Sequence, residues 1–120
     1  MAGGERVVVC ASGALADGGD GVRFEVRRGG ETASAFAVRY EGRVYAYVNR
    51  CAHVGVELDW QPGRFFDADG IVLICSTHGA LYAPDSGACV GGRCIGCGGL
   101  VPVAVEERDG MVYLKDEQHG

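Results

Sequence analysis

Four side chains of the kinds that bind metal ions form two pairs in the middle of the chain. Cys51 and His53 make a Cys-x-His pair, and Cys75 and His78 make a Cys-x-x-His pair after the spacer formed by residues 54–74. Thiolates and imidazoles are typical ligands of zinc, copper and iron. The spacing therefore predicts a metal centre and leaves its metal open.

The composition of each pair separates two kinds of centre. Two cysteines and two histidines are a legitimate tetrahedral zinc set, so a structural zinc module is one possibility. Zinc fingers, however, commonly place Cys with Cys and His with His, whereas here each pair holds one of each. The mixed pairs favour a two-iron cluster over a zinc site. We therefore expect a cluster and keep zinc as the alternative.

The segments around the pairs are typical of short strands joined by tight turns. Two such segments flank Glu41-Gly42 and end just before the first pair, and two more flank Asp69-Gly70 and end just before the second pair. Each pair is thus expected in a loop at the end of a hairpin. The predicted strands cover residues 7–10 (a buried first strand with Cys10 in the core), 22–27, 35–40, 43–48, 64–67, 71–74, 81–83, 100–107 and 111–114, with a turn at 84–87 and a loop at 89–99.

No segment has a helical period of useful length, so the predicted fold class is all-β and antiparallel. A chain of 120 residues is near the usual size of one domain, and we expect residues 1–120 to form one, with a cluster-binding part at about 49–99. The 21 glycines, which lack a collagen-like period, fit many turns.

Charge and hydropathy exclude several classes of partner. The net charge is −5 and Lys115 is the only lysine, so nucleic-acid binding is not expected. An acidic surface suits a basic protein partner, and solubility alone is an equally good explanation of the charge. No signal peptide is recognisable at residues 1–6 and no apolar stretch is long enough for a membrane span, so we expect a cytoplasmic protein without a membrane partner. Six cysteines then favour metal ligands over a disulfide framework.

The two metal-binding segments resemble those of the Rieske 2Fe-2S family. The resemblance covers N-R-C-A-H at 49–53, C-S-T-H-G-A-L-Y at 75–82 and the turn that ends at Gly87, about half of the chain. It implies an antiparallel β-sandwich or barrel with a two-loop cluster-binding subdomain. It also implies one 2Fe-2S cluster per chain, with Cys51 and Cys75 on one iron and His53 and His78 on the other.

The ligand set and its neighbours predict the reduction potential. Two neutral imidazoles in place of thiolates raise the reduction potential of a cluster into the range of about −150 to +300 mV. The high-potential branch of the family has an extra cysteine in each loop and a serine hydroxyl donor, whereas this chain has Val56 and Ala80 at those positions. The branch's covering loop contains proline, and residues 91–94 contain none. We therefore expect a potential low in the Rieske range, as in ferredoxin-like members.

The resemblance implies a soluble one-electron carrier that passes electrons between a reductase and a terminal oxygenase or another redox enzyme. The alternative is a small Rieske-like subunit of a redox complex such as nitrite reductase. We do not expect an enzyme that acts alone, because the chain is too short to add an oxygenase's mononuclear iron site and has no nucleotide or phosphate fingerprint.

Several residues that could bind a metal, form a disulfide or contact a partner have no role in this hypothesis. Cys89, Cys94 and Cys97 are interpreted as small, partly buried loop residues, with a disulfide or redox-active pair as the second choice and a further metal site as the third. Trp60 and Tyr82 are expected to pack, although Trp60 could also contact a partner. His119 is expected on the surface.

Overall fold

The computed structural model describes residues 7–28, 30–50, 57–59, 63–75, 79–91 and 99–115, and all structural statements below concern them. These residues form nine strands and one short 3-10 helix at Ser12–Ala14. The strands are β1 (Val7–Ala11), β2 (Val22–Arg28), β3 (Glu31–Tyr40), β4 (Arg43–Val48), β5 (Leu73–Ile74), β6 (Leu81–Tyr82), β7 (Cys89–Gly91), β8 (Val105–Arg108) and β9 (Met111–Leu114).

The strands form three antiparallel sheets of three strands each, in the orders β1-β9-β8, β2-β3-β4 and β5-β6-β7. Every strand pairing among them is antiparallel. The predicted all-β, antiparallel fold class is confirmed. None of the helical structure in the described part of the chain is long and apolar enough to cross a bilayer.

Two of the predicted hairpins have the turns that their dipeptides indicate. Glu41 and Gly42 between β3 and β4 have φ angles of 50° and 82°, and Asp109 and Gly110 between β8 and β9 have 53° and 81°. Two consecutive positive φ angles define the type I′ turn, whose twist matches that of the flanking strands. The carboxylate of Asp17 accepts hydrogen bonds from the backbone N–H groups of Glu41 and Gly42, each at 2.8 Å, and so fastens the first turn.

The predicted hairpin around Asp69-Gly70 is reduced to β5 and one isolated bridge between Phe66 and Leu73. The reason lies in the side chain of Asp67. Its Oδ1 accepts the backbone N–H of Ile71 at 3.0 Å and that of Val72 at 3.3 Å. Because the carboxylate takes the N–H of Val72, the hairpin keeps only the backbone bonds from the N–H of Asp67 to Val72 and from the N–H of Ile74 to Phe65, and no strand forms at residues 64–67.

Three other expectations are corrected. The first strand is not buried, since β1 is an edge strand in which Val7 and Val8 are 58% and 50% exposed. The expected strand at 100–107 begins only at Val105, since Pro102 has no N–H for a ladder and makes a single bridge. The segment expected as a loop from residue 89 begins with β7, which pairs with β6.

The core consists of two clusters on opposite faces of β3. Ala35, Phe36, Ala37 and Val38 are all fully buried, because successive side chains of a strand point to opposite faces. Phe36 and Val38 pack in the first cluster, and Ala35 and Ala37 pack in the second. The first cluster also contains Tyr47, Leu58, Phe65, Leu73, Cys75, Ala80, Tyr82 and Leu100, and the second also contains Leu15, Val26, Ala46, Val103 and Val112.

Aromatic stacking joins β3 to the segment that precedes the second ligand pair. The rings of Phe36 and Phe65 are stacked, with centroids 3.9 Å apart and planes 10° apart. The residue before β2, Gly21, lies directly against this contact. A Cβ at Gly21 would lie 2.6 Å from the carbonyl oxygen of Ala37 and 2.8 Å from both the Phe65 ring and the Val38 side chain. The core therefore leaves no room for a methyl group there.

We predict that Gly21→Ala lowers the free energy of unfolding by about 1–3 kcal/mol through overpacking. Gly13→Ala is the matched control, since a Cβ at Gly13 meets no atom within 4 Å. It should change stability by no more than about 0.5 kcal/mol. Denaturant unfolding of both variants measures the difference, and equal stabilities would contradict this account of the packing.

Candidate metal centre

Cys75, the described member of the second predicted ligand pair, is joined by backbone hydrogen bonds to the residues that follow the pair. Cys75 follows β5 directly. Its N–H donates to the carbonyl oxygen of Ala80 at 2.9 Å, and its carbonyl oxygen accepts the N–H of Gly79 at 2.7 Å. Gly79 has a φ of 76°, which favours glycine. The two bonds hold Cys75 beside Gly79 and Ala80. His78 lies outside the described residues.

Cys75 has the environment expected of a buried thiolate ligand. Its side chain has no solvent exposure, it belongs to the first core cluster, and it is in no disulfide. Ala80, also fully buried, packs in the same cluster. A buried, uncrosslinked cysteine at the base of this loop fits an iron–sulfur cluster, whose thiolate ligands are shielded from water.

The segment that carries the first ligand pair begins at a buried polar residue. Asn49 follows β4 and is 3% exposed, and its N–H donates to the carbonyl oxygen of Ser34 on β3 at 2.8 Å. Its side-chain oxygen accepts the N–H of Leu58 at 2.9 Å. This last bond connects the chain just before the first predicted pair to the chain just after it. Cys51 and His53 themselves lie outside the described residues.

The anchors of both predicted ligand segments pack together. Leu58, which follows the first pair, lies in the same buried cluster as Cys75 and Ala80. The structure thus brings the described ends of the two segments to one region of the core. Within the described part of the chain, no group of three or more His, Cys, Asp or Glu side chains is arranged to hold a metal. The assignment of all four ligands stays a prediction, of which Cys75 is the described member.

A tyrosine that the sequence analysis did not single out links the two segments. Tyr47 on β4 donates its hydroxyl hydrogen to the carbonyl oxygen of Pro84 at 2.7 Å, and burial raises the pKa of this hydroxyl well above its usual range. Pro84 begins the predicted turn, which Gly87 closes by donating its N–H to Ala83 at 2.7 Å. A Cβ at Gly87 would lie 2.7 Å from the Tyr47 ring. The segment after the second predicted ligand pair is therefore tied to β4, the strand that precedes the first pair.

The structure describes two of the other residues that were assigned from the sequence, Tyr82 and Cys10. Tyr82 is fully buried in the first cluster, so its assignment to the core is confirmed. Cys10 is partly buried against the second cluster, and burial raises the pKa of its thiol, as expected of a packing cysteine. Val56, Trp60, Cys94, Cys97 and His119 lie outside the described residues.

Cys89 differs from the favoured expectation. It is partly buried, as expected, but it forms a disulfide bond rather than being a simple packing residue. It begins β7, where it pairs with Tyr82 on β6, the strand that follows the second ligand segment. The second-choice interpretation, a disulfide in this region, is the one that the structure favours.

The sequence matches the family model of the Rieske [2Fe-2S] domain over residues 5–111. A comparison with curated proteins found no match. Among solved structures, one chain of the complex of reduced oxygenase and oxidised ferredoxin in carbazole 1,9a-dioxygenase is 26% identical. It has a TM-score of 0.70, and the match covers 94% of each chain.

Two further structures share the fold at lower identity. The ferredoxin of carbazole 1,9a-dioxygenase from Nocardioides aromaticivorans IC177 is 21% identical with a TM-score of 0.68, and the match covers 93% of this chain and 98% of that one. The quaternary ammonium Rieske monooxygenase CntA is 22% identical with a TM-score of 0.69. There the match covers 97% of this chain but only 32% of the monooxygenase chain.

We predict that Cys89 resists alkylation in protein that is denatured without reductant, whereas Cys10 and, after metal removal, Cys75 are alkylated. The reason is that only the last two are uncrosslinked. Peptide mapping by mass spectrometry measures the modification of each cysteine. Treatment with reductant before alkylation is the control and should expose Cys89. Labelling of Cys89 without reductant would contradict the disulfide.

Proposed function

Because the chain belongs to the family of Rieske [2Fe-2S] domains, we propose that it is a one-electron carrier of the ferredoxin type, with one 2Fe-2S cluster per chain. The observation that carries the proposal is the family match over residues 5–111. The match to a ferredoxin over 98% of that ferredoxin's length adds support, since the chain contains the counterpart of nearly all of it.

We propose that Cys51 and Cys75 hold one iron of the cluster and that His53 and His78 hold the other. The bound cluster supplies a site that accepts and releases a single electron. The chain's own contribution is to keep its ligands in place and away from water. The full burial of Cys75 and the closed base of its loop support this role. Residues 49–99 would then form the cluster-binding part of one domain that spans residues 1–120.

The proposed partners are a reductase that supplies the electron and an oxygenase or another redox enzyme that accepts it. A solved complex of an oxygenase with a ferredoxin, in which one chain is 26% identical to this one, supports an oxygenase as acceptor. The net charge of −5 favours partners with basic docking surfaces. No specific observation favours the nitrite reductase subunit, and the family match weighs against a zinc module.

The expected cytoplasmic location, and the expected absence of membrane and nucleic-acid partners, stay predictions. The disulfide at Cys89 bears on the location, because stable disulfides are rare in cytosolic proteins. Cell fractionation with an antibody against the chain would test it directly. Recovery of the protein in an exported fraction would contradict the cytoplasmic location without affecting the proposed electron transfer.

We predict a coloured protein with about two irons and two acid-labile sulfides per chain, as a cluster with two cysteine and two histidine ligands requires. A potentiometric titration followed by electron paramagnetic resonance should fit a one-electron step. Its midpoint should lie below roughly +100 mV, in the lower part of the Rieske range. Colourless protein with one bound zinc would refute the cluster, and a higher midpoint would refute only the low-potential assignment.

We predict that Ala80→Ser raises the midpoint potential, because a hydroxyl donor to a cluster sulfur stabilises the reduced, more negative state. Ala80 is fully buried next to Cys75, so the added hydroxyl remains in the core near the proposed cluster. Ala37→Ser is the control, since Ala37 is equally buried but packs in the other cluster. An equal shift in both variants would contradict a local effect at Ala80.

A further inference from the structure

Two buried polar residues lie on either side of the first predicted ligand pair. Asn49 is 3% exposed and Asp59 is 6% exposed, and no other amide or charged side chain among the described residues is buried. Burying a carboxylate is costly unless hydrogen bonds or a countercharge compensate.

Three hydrogen bonds connect Asn49 and Asp59 with the neighbouring backbone. The N–H of Leu58 donates to Asn49 Oδ1 at 2.9 Å, and Asn49 Nδ2 donates to Asp59 Oδ1 at 3.0 Å. The other carboxylate oxygen, Asp59 Oδ2, accepts the N–H of Gly63 at 2.9 Å. We refer to these four residues, Asn49, Leu58, Asp59 and Gly63, as the clasp. Each donor in the clasp has a matching acceptor.

An arginine on β2 extends the clasp to the surface. Arg23 Nε lies 3.6 Å from Asp59 Oδ2, and Arg23 Nη2 donates to both carboxylate oxygens of Glu57 at 2.8 Å. The Asp59 side chain is fully buried, whereas the Arg23 and Glu57 side chains are 37% and 47% exposed. Solvent screening makes the Arg23–Glu57 pair weak, so the buried hydrogen bonds dominate.

The clasp joins the two ends of the segment that contains Cys51 and His53. Asn49 lies just before this segment on the sequence, and Leu58 lies just after it. The backbone of Asn49 is itself held on β3 through its bond to Ser34. Both ends are therefore fixed relative to the sheet. A loop with fixed ends has fewer conformations available, so its ligands require less ordering when they bind a cluster.

We propose that Asn49 and Asp59 are positioning residues that hold the first ligand segment in its cluster-binding arrangement. The inference rests on the proposed function, because it takes Cys51 and His53 as ligands. It goes beyond the family assignment by giving this chain's buried carboxylate a role in retaining the cluster. Neither residue contacts iron in this proposal. Each acts through the chain between them.

The hydrogen-bond pattern allows a reciprocal exchange of the two side chains. In Asp59→Asn, an amide NH2 must face either the N–H of Gly63 or Nδ2 of Asn49, so two donors oppose each other. In Asn49→Asp, two carboxylates oppose each other across the 3.0 Å contact. In the double variant, the carboxylate now at position 49 accepts from the N–H of Leu58 and from the amide NH2 now at position 59. The oxygen of that amide accepts the N–H of Gly63, so all three bonds are restored.

The test measures cluster loss from these three variants and the unmodified protein. The holoprotein is mixed with excess iron chelator under native conditions, and the decay of visible absorbance gives the rate. Each single variant should lose its cluster about tenfold faster, which corresponds to one buried hydrogen bond lost without replacement. The double variant should lose its cluster more slowly than either single variant, because the exchange restores the three hydrogen bonds, although position 59 no longer carries the charge that pairs with Arg23.

A second measurement and a control separate positioning from general destabilisation. Amide hydrogen exchange at Leu58 and Gly63 should accelerate in the single variants and recover in the double variant. Asp17→Asn is the matched control, since Asp17 also accepts two backbone N–H bonds, but at the far end of β4. It should lower the melting temperature and leave the cluster-loss rate unchanged.

Unchanged cluster loss in the single variants, or no recovery in the double variant, would overturn the inference and leave the proposed function intact. Acceleration by Asp17→Asn equal to that of the single variants would also overturn it, since stability alone would then explain the effect. Purified unmodified protein that contains no iron and sulfide would overturn both.

Discussion

The burial of both faces of β3 is the constraint on which the other parts of this structure depend. One face, through Phe36 and Val38, packs on the cluster that contains Cys75, and the other, through Ala35 and Ala37, packs against the sheet β1-β9-β8. The second face carries the small alanines and the first carries the larger Phe36 and Val38, so β3 contributes side chains to both core clusters. It also links the proposed redox end to the rest of the core.

The two predicted ligand segments are closed by different physical means. The second is short enough for backbone groups alone to close it, through the bonds that join Cys75 to Gly79 and Ala80. The first spans more residues, and the side chains of Asn49 and Asp59 close it instead. Side chains can bridge a wider gap than backbone groups. Here the bridge includes the buried carboxylate of Asp59, and each of its oxygens must accept a hydrogen bond. The longer segment is consequently the one whose closure depends on the identity of individual side chains.

Features encoded over a few residues were predictable from the sequence. The dipeptides Glu41-Gly42 and Asp109-Gly110 indicate their hairpins, and the Cys and His pairs indicate the family that the comparison then identified. Features that depend on distant partners were not predictable. The Tyr47 bond to Pro84 spans 37 positions. Aspartate is typically an exposed residue, because an isolated charge is rarely buried, and only the partners Asn49 and Gly63 explain the position of Asp59.

The different closures of the two segments also imply different places in the order of folding. The bonds at Cys75 join residues four or five apart, so they form at a low cost in chain entropy and do not require the sheets to be assembled. The Asn49–Asp59 bond spans ten positions, and the connection from Arg23 to Glu57 spans 34. Contacts of larger sequence separation cost more loop-closure entropy to form. The contacts around Cys75 are therefore local in sequence. Those around Asn49 all form only when β2, β3 and β4 have come together.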